Sequence, residues 1–366
     1  MPSRSSLRPE DARRSNLSLI LQTLIDKPGQ SRADLARATG LTKVTVSDLV
    51  SELISNELVT ETGPATAARP GKPSTALAFN AGARDVIAID LSARDRVRGA
   101  VLSLAGDVIT RLERPLDGAV GDAAQNIALG LAEDLARAAQ HPILGLGVGS
   151  PGTVNRHGVV LSAPNLHWHD LKLQEHFAAA LRLPVVVQND ANVAVLAERR
   201  FANGSGNVVR IQLARGVGAG LLVGGQLVYG AASDAGEIGH VVIDPAGAQC
   251  TCGKTGCLET VLSAPALNAA IDAQPTRRQQ TLAAAGRQLG IALAPVVGML
   301  GLTQIVIGGP APADSPELLD GLRAELVART RADFRPELDL SFSTLGSDAV
   351  LLGAAALVLL SELGIS

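Results

Sequence analysis

The sequence predicts a mixed α/β protein with a helical unit at its amino end. Three observations carry that expectation. From residue 85 onward, short apolar strands broken by glycine ("DVIAIDLS", "ILGLGVGSPGTV", "LPVVVQNDAN") alternate with helical segments such as "AAQNIALGLAEDLARAAQ". The first eighty residues instead show helical periodicity followed by two β-prone stretches. All three cysteines, Cys250, Cys252 and Cys257, fall within eight positions, and His240 stands ten residues upstream of the first.

A chain of 366 residues, 46% hydrophobic and with 38 glycines, can bury a large core and form two or three domains. The net charge of −3 predicts no general attraction to polyanions or membranes. Locally the balance differs: residues 1–80 hold ten Lys/Arg against eight Asp/Glu, a net +2, and the remainder carries about −5. The opening "MPSRSSLRPEDARRSN" has no signal-type apolar stretch, and residues 1–14 are expected to be a flexible basic tail. The longest apolar run, "AVLLGAAALVLL", is too short for a span. A cytoplasmic protein without membrane association is expected, and an odd number of cysteines there argues against a disulfide framework.

Leu17, Ile20, Leu21 and Leu24 follow helical spacing, and "DKPG" ends that helix. Ser31 caps a second helix, "RADLARAT", with Asp34 three positions on, and Gly40 closes it. Thr42 caps a third, whose inward stripe is Val46, Leu49, Val50 and Leu53. Helix, glycine turn and helix make a helix-turn-helix, whose second member enters the major groove. Thr42, Lys43, Thr45 and Ser47 are its candidate contacts to bases and phosphates. Two β-prone stretches then flank a Pro/Gly/Ala-rich tip with Arg69 and Lys72, as in a wing that reaches DNA. A winged helix-turn-helix over 15–80 is expected; a helical bundle serving protein contacts is the alternative.

The larger part carries an internal echo. "VIAIDLSARDRVRGAVLSLAGDVI" and "VVRIQLARGVGAGLLVGGQLVYG" each read strand, turn, strand, turn, strand. Two related lobes with a cleft between them follow. Thiolates at x, x+2 and x+7, separated by Gly253 and Gly256, can wrap one ion. With His240 they make a closed Cys₃His set, the donor set of structural zinc rather than of catalytic zinc with an open position. The alternative is three small hydrophobes gathered by chance.

These residues, with "GVGSPGTV" (147–154), "APNLHW" (163–168), "NDANVAVLAE" (189–198), "AGEIGH" (235–240) and "VIGGP" (306–310), resemble the ROK family of repressors and sugar kinases, in its winged-helix repressor branch. The resemblance implies an actin-like or hexokinase-like domain over 84–366. Its first lobe would span about 84–200 plus the C-terminal helix, and its second about 201–347. By position it implies sugar contacts from Asn165, Asn189, Asp190, Glu237, His240 and Glu259. It also makes Asp190 the position of the kinases' general base. His240 would put one ring nitrogen on zinc and turn the other toward the sugar.

Two turns depart from the kinase pattern. Where ROK kinases carry Asp-x-Gly-Gly-Thr, this chain reads "DLSARD" (90–95), keeping Asp90 alone. Where they carry Gly-Thr-Gly-x-Gly, it reads "ARGVG" (214–218). Phosphoryl transfer rests on positioning phosphates, so losing both cradles argues against catalysis and leaves Asp190 a vestigial base. Arg215 keeps a sugar phosphate open as ligand. The expected function is a sugar-responsive repressor, binding operator DNA as a homodimer or homotetramer, with one structural Zn²⁺ per chain. An active ATP-dependent sugar kinase with an appended DNA-binding domain is the alternative. A third reading, a constitutive module with a vestigial cleft, predicts no sugar response in the fluorescence of Trp168, the one tryptophan.

Overall fold

Chemically marked helix ends shape the amino-terminal unit. In the computed structural model, which describes residues 9–64, 74–202, 204–331 and 338–366, α1 is Pro9–Asp26. Residues 9–14, expected within a flexible tail, are its first turns. Glu10 and Asp11 complement the helix dipole there. Arg13 pairs with Glu52, and Arg14 donates to the carbonyl of Ser361. Helix α2 (Arg32–Thr39) starts on a capping box between Ser31 and Asp34 and stops at Gly40, whose φ is 73°. Helix α3 (Lys43–Ser55) follows, capped by Thr42 and burying Val46, Leu49, Val50 and Leu53. Strands β1 (Val59–Pro64) and β2 (Thr75–Phe79) pair antiparallel, with Val59 opposite Phe79. The expected basic tip with Arg69 and Lys72 lies outside the described residues.

The next strands are β3 (Asp85–Asp90), β4 (Arg96–Ser103) and β5 (Val108–Pro115), an antiparallel run covered by α4 (Gly121–Ala138). Strand β6 (Ile143–Ser150) lies parallel to β3. A small sheet of β7 (Thr153–Val154), β8 (Val160–Ala163) and β9 (Trp168–Leu171) precedes α5 (Leu173–Leu181), β10 (Val185–Asn189) and α6 (Asp190–Phe201). The second half has β11 (Val208–Leu213), β12 (Val217–Val223), β13 (Gln226–Leu227), then α7 (Glu259–Leu262), α8 (Ala264–Ala273) and α9 (Arg278–Leu300). Strand β14 (Gln304–Gly308), α10 (Pro316–Arg329), β15 (Asp339–Phe342) and α11 (Ala349–Leu363) complete it.

The two main sheets run β5-β4-β3-β6-β10 and β13-β12-β11-β14-β15. In each, an antiparallel three-strand start is extended by two parallel strands. The echo in the sequence is therefore a repeated topology. Helices α6 and α11 pack together between the sheets, and their approach needs Gly353, where a Cβ would stand 1.9 Å from the carbonyl of Val193. The core of the amino-terminal unit continues into the first lobe: Ile20, Leu24, Val50 and Leu77 share one buried cluster with Val86, Leu102, Leu351 and Leu359. Hydrophobic burial thus ties the helix-turn-helix to α11 rather than leaving it on a tether.

Two segments, Pro275–Leu300 and Gly346–Leu363, reach the length and hydropathy of a membrane span. The second contains the apolar run that the sequence suggested was too short, because its flanking residues extend the helix. Here α11 packs on α6, β3 and β6, and α9 on α10.

Candidate functional site

The loop between β13 and α7 brings its four candidate ligands together. The side-chain donors of His240, Cys250, Cys252 and Cys257 all lie within 4.8 Å of one another. His240 Nδ1 is 3.6 Å from Cys250 Sγ, and Cys252 Sγ is 3.6 Å from Cys257 Sγ. Those separations match the edges of a tetrahedron of thiolates about 2.3 Å from a central zinc. Gly256 sets the turn, with φ of 76° and a would-be Cβ only 1.5 Å from the carbonyl of Asp244, so no side chain fits. A backbone hydrogen bond from Lys254 brings the Cys252 thiol down to about 7. Burial, together with the neighbouring thiols, pushes Cys257 up to about 12. A set that resists ionising together without a cation is the donor chemistry a divalent metal stabilises. The residues present fit a zinc ion.

His240 connects this loop to a cleft of about 310 Å³ between the lobes. Its Nε2 lies on the other side of the ring from the sulfur-facing Nδ1 and 3.9 Å from Glu237 Oε2. Asn189, Asp190, Glu237, His240 and Glu259 all line this cleft, as do Gln212 and Arg215. A larger groove of about 830 Å³ lies between the amino-terminal unit and the first lobe, but none of these side chains reaches it.

Each wall residue is held differently. Asn189 caps α6 with its Oδ1, which accepts from Ala191 and Asn192, and its Nδ2 donates to the carbonyl of Gly152 at 2.7 Å. One of its two amide N–H groups and its oxygen thereby shape the wall. Asp190 begins α6; burial, with Asp90 nearby, pushes its carboxyl up to about 7. Burial also raises Glu237. Glu259 Oε2 accepts from the amide of Val217 at 3.1 Å, inside the 214–218 turn. At the opposite end, buried Asp90 accepts from the amide of Ser92 at 2.8 Å and from Arg98, which also donates to the carbonyl of Ser347 at 2.7 Å.

On α3, Thr42, Lys43 and Ser47 are exposed, whereas Thr45 is half-buried with its hydroxyl 2.9 Å from that of Thr42. Thr45 also gives its backbone N–H to the Thr42 cap. Val44 is 71% exposed beside Lys43. An exposed valine at a helix start suits the methyl group of thymine.

Comparison with known proteins follows the same division. Residues 86–360 match the ROK family, and residues 13–60 match winged helix-turn-helix DNA-binding domains. The chain belongs to the ROK family. As a ROK protein it is 27% identical to the xylose repressor of Bacillus spizizenii over 94% of each chain. It is 30% identical to a glucokinase of Halalkalibacterium halodurans, over 72% of this chain and 91% of that one. Among solved structures, a ROK family transcriptional regulator, homolog of the E. coli MLC protein, superposes with a TM-score of 0.85 at 26% identity, covering 96% of this chain and 97% of that one. A ROK family glucokinase from Streptomyces griseus in complex with glucose and AMPPNP reaches 0.63 at 25% identity, covering 75% of this chain and 98% of that one.

Against this ROK frame, Asn165 is the sequence candidate that does not meet the others: it sits in the 3-10 turn Pro164–Leu166, outside the cleft wall. Trp168 is buried, its indole donating to the carbonyl of Gly121 at 3.0 Å, and it is likewise absent from the wall. It is a poor reporter of cleft occupancy. Arg98, Val44 and Gln212 were not singled out from sequence. For Arg98 a signal existed: in the β3–β4 hairpin, eight residues apart around a turn, Asp90 and Arg98 stand directly opposite.

Proposed function

We propose that this chain is a sugar-responsive, DNA-binding transcriptional repressor whose effector sits in the interlobe cleft. The observation that carries it is full-length likeness to xylose repressors and a ROK regulator, winged helix included, in a chain whose cleft wall presents carboxylates, amides, one imidazole and the guanidinium of Arg215. Such a wall suits vicinal hydroxyls, with Asp190, Glu237 and Glu259 accepting and His240 Nε2 oriented by its metal-side neighbour. Lys43, Ser47 and Thr42 would face the operator, with Val44 beside them. A homodimer or homotetramer would present paired winged helices to half-sites one helical turn, or a multiple, apart.

Zinc, held by His240, Cys250, Cys252 and Cys257, would be structural: it neutralises the thiolates and fixes the loop that delivers His240 and Glu259. Sugar bound more tightly to one interlobe arrangement shifts the population of states and thereby DNA affinity.

The glucokinase relatives favour a kinase as the second reading. Against it, Asp90 is neutralised by Arg98 and tied to the Ser92 amide, and the Val217 amide is already taken by Glu259. Groups that would greet phosphate or its metal are engaged internally, and Asp190 serves as a hydroxyl acceptor rather than a base. A coupled ADP-release assay with ATP and a panel of pentoses and hexoses separates the two. The repressor reading predicts sugar binding with no sugar-dependent ADP release; turnover would restore the kinase.

A further inference from the structure

The cleft wall includes one polar residue whose orientation is dictated from behind. Arg210, on β11, is buried and donates through Nε to Glu198 Oε1 at 2.9 Å and through Nη1 to Gln212 Oε1. Glu198, equally buried on α6, also accepts from the hydroxyl of Ser343 beyond β15. Room for the guanidinium comes from Gly308 on the neighbouring strand, where a Cβ would stand 2.2 Å from it. A guanidinium has only donors, so Gln212 must present its oxygen to Arg210. Its Nε2 amino group, with no protein acceptor among the described residues, is left to the cleft that Gln212 lines together with Asp190.

We propose that Gln212 is a further contact to the bound sugar, donating its amide N–H to a ligand oxygen, and that Arg210 is the positioning residue that holds it. The inference rests on the effector reading of the cleft. A fixed amide donor in the cleft that also holds Asp190, Glu237 and Glu259 adds a donor to a wall rich in carboxyl groups. It also selects ligands with an acceptor oxygen at that end of the cleft. Glu198 on α6 and Arg210 on β11 thus hold the donor through a buried pair that joins the helix to the strand.

The test is calorimetric titration of the full-length, zinc-loaded protein with D-xylose and with D-glucose. Where the unchanged protein binds a sugar, Gln212→Ala is expected to weaken it about tenfold, the weight of one well-placed hydrogen bond. Sugar-free DNA binding is expected to stay as it was, while thermal stability falls because the buried Arg210 Nη1 loses its acceptor. Gln212→Glu, which keeps an acceptor for Arg210 but cannot donate to the sugar, is expected to lose as much. Arg210→Lys should weaken binding in the parent but add less than about twofold in the Gln212→Ala background, because its effect runs through the missing amide. Wild-type affinity in Gln212→Ala or Gln212→Glu overturns the assignment and leaves the effector reading standing. A full additional loss from Arg210→Lys in that background overturns the positioning role. Failure of the unchanged protein to bind either sugar overturns the effector reading for these sugars, and this inference with it.

Discussion

The two ends of the interlobe cleft are built from the same kinds of residue and put to opposite use. At the metal-loop end, His240 keeps Nε2 on the cleft side while its other nitrogen faces sulfur, and Glu237 lies open beside it. At the other end, beside Ser92, Asp90 is closed by Arg98 and the Ser92 amide. Outward-facing donors and acceptors at one end suit a neutral polyol. Internally satisfied ones at the other leave little for a triphosphate. A kinase-like fold can thus keep its recognition half while its transfer half becomes scaffold.

The largest expected effect is at the metal loop. Cys257→Ser should take zinc from about one per chain toward none and lower stability by several kcal/mol, read by metal analysis and thermal melting. Retained zinc would remove Cys257 from the ligand set. Next, Asp190→Ala should weaken sugar binding about a hundredfold or more and abolish the DNA response, while sugar-free DNA affinity holds. Loss of DNA binding in that variant would make Asp190 structural.

A third effect is in pH. The Asp190 carboxyl sits at about 7 when folded, against 3.8 for an ordinary aspartate. The folded state therefore binds the extra proton, and the cost of ionising this group is absent below the unfolded value and complete above 7. Asp190→Asn should accordingly stabilise the sugar-free protein by about 2–4 kcal/mol at pH 8 and hardly at all near pH 4. Equal shifts at both pH values would locate the gain elsewhere. The smallest effect is at the winged helix: Lys43→Ala should weaken operator binding a few-fold and flatten the salt dependence by about one counterion. An unchanged slope would place Lys43 off the phosphates.

Features confined to a short stretch of chain were readable in advance. The capping box at Ser31 and Asp34, the left-handed Gly40 and the clustered cysteines carry their signals within a few residues. The repeated sheet topology was visible because each copy begins with a local meander. What escaped depends on distant partners. Glu198 meets Arg210 and Ser343 only once α6, β11 and the segment after β15 are assembled. Residues 9–14 looked like a tail because their helix is stabilised by Glu52 and by the carbonyl of Ser361, far along the chain. Motif order alone also put Asn165 with the sugar-facing residues, and the wall in this conformation does not include it.

The most direct test is fluorescence anisotropy of DNA from the region upstream of this chain's own gene, titrated with zinc-loaded protein and then with pentoses, hexoses and their phosphates. The account predicts salt-sensitive, sequence-specific binding that one sugar of the panel shifts several-fold. Specific binding that no sugar in the panel alters would contradict it and make the cleft a relic above a constitutive DNA-binding protein.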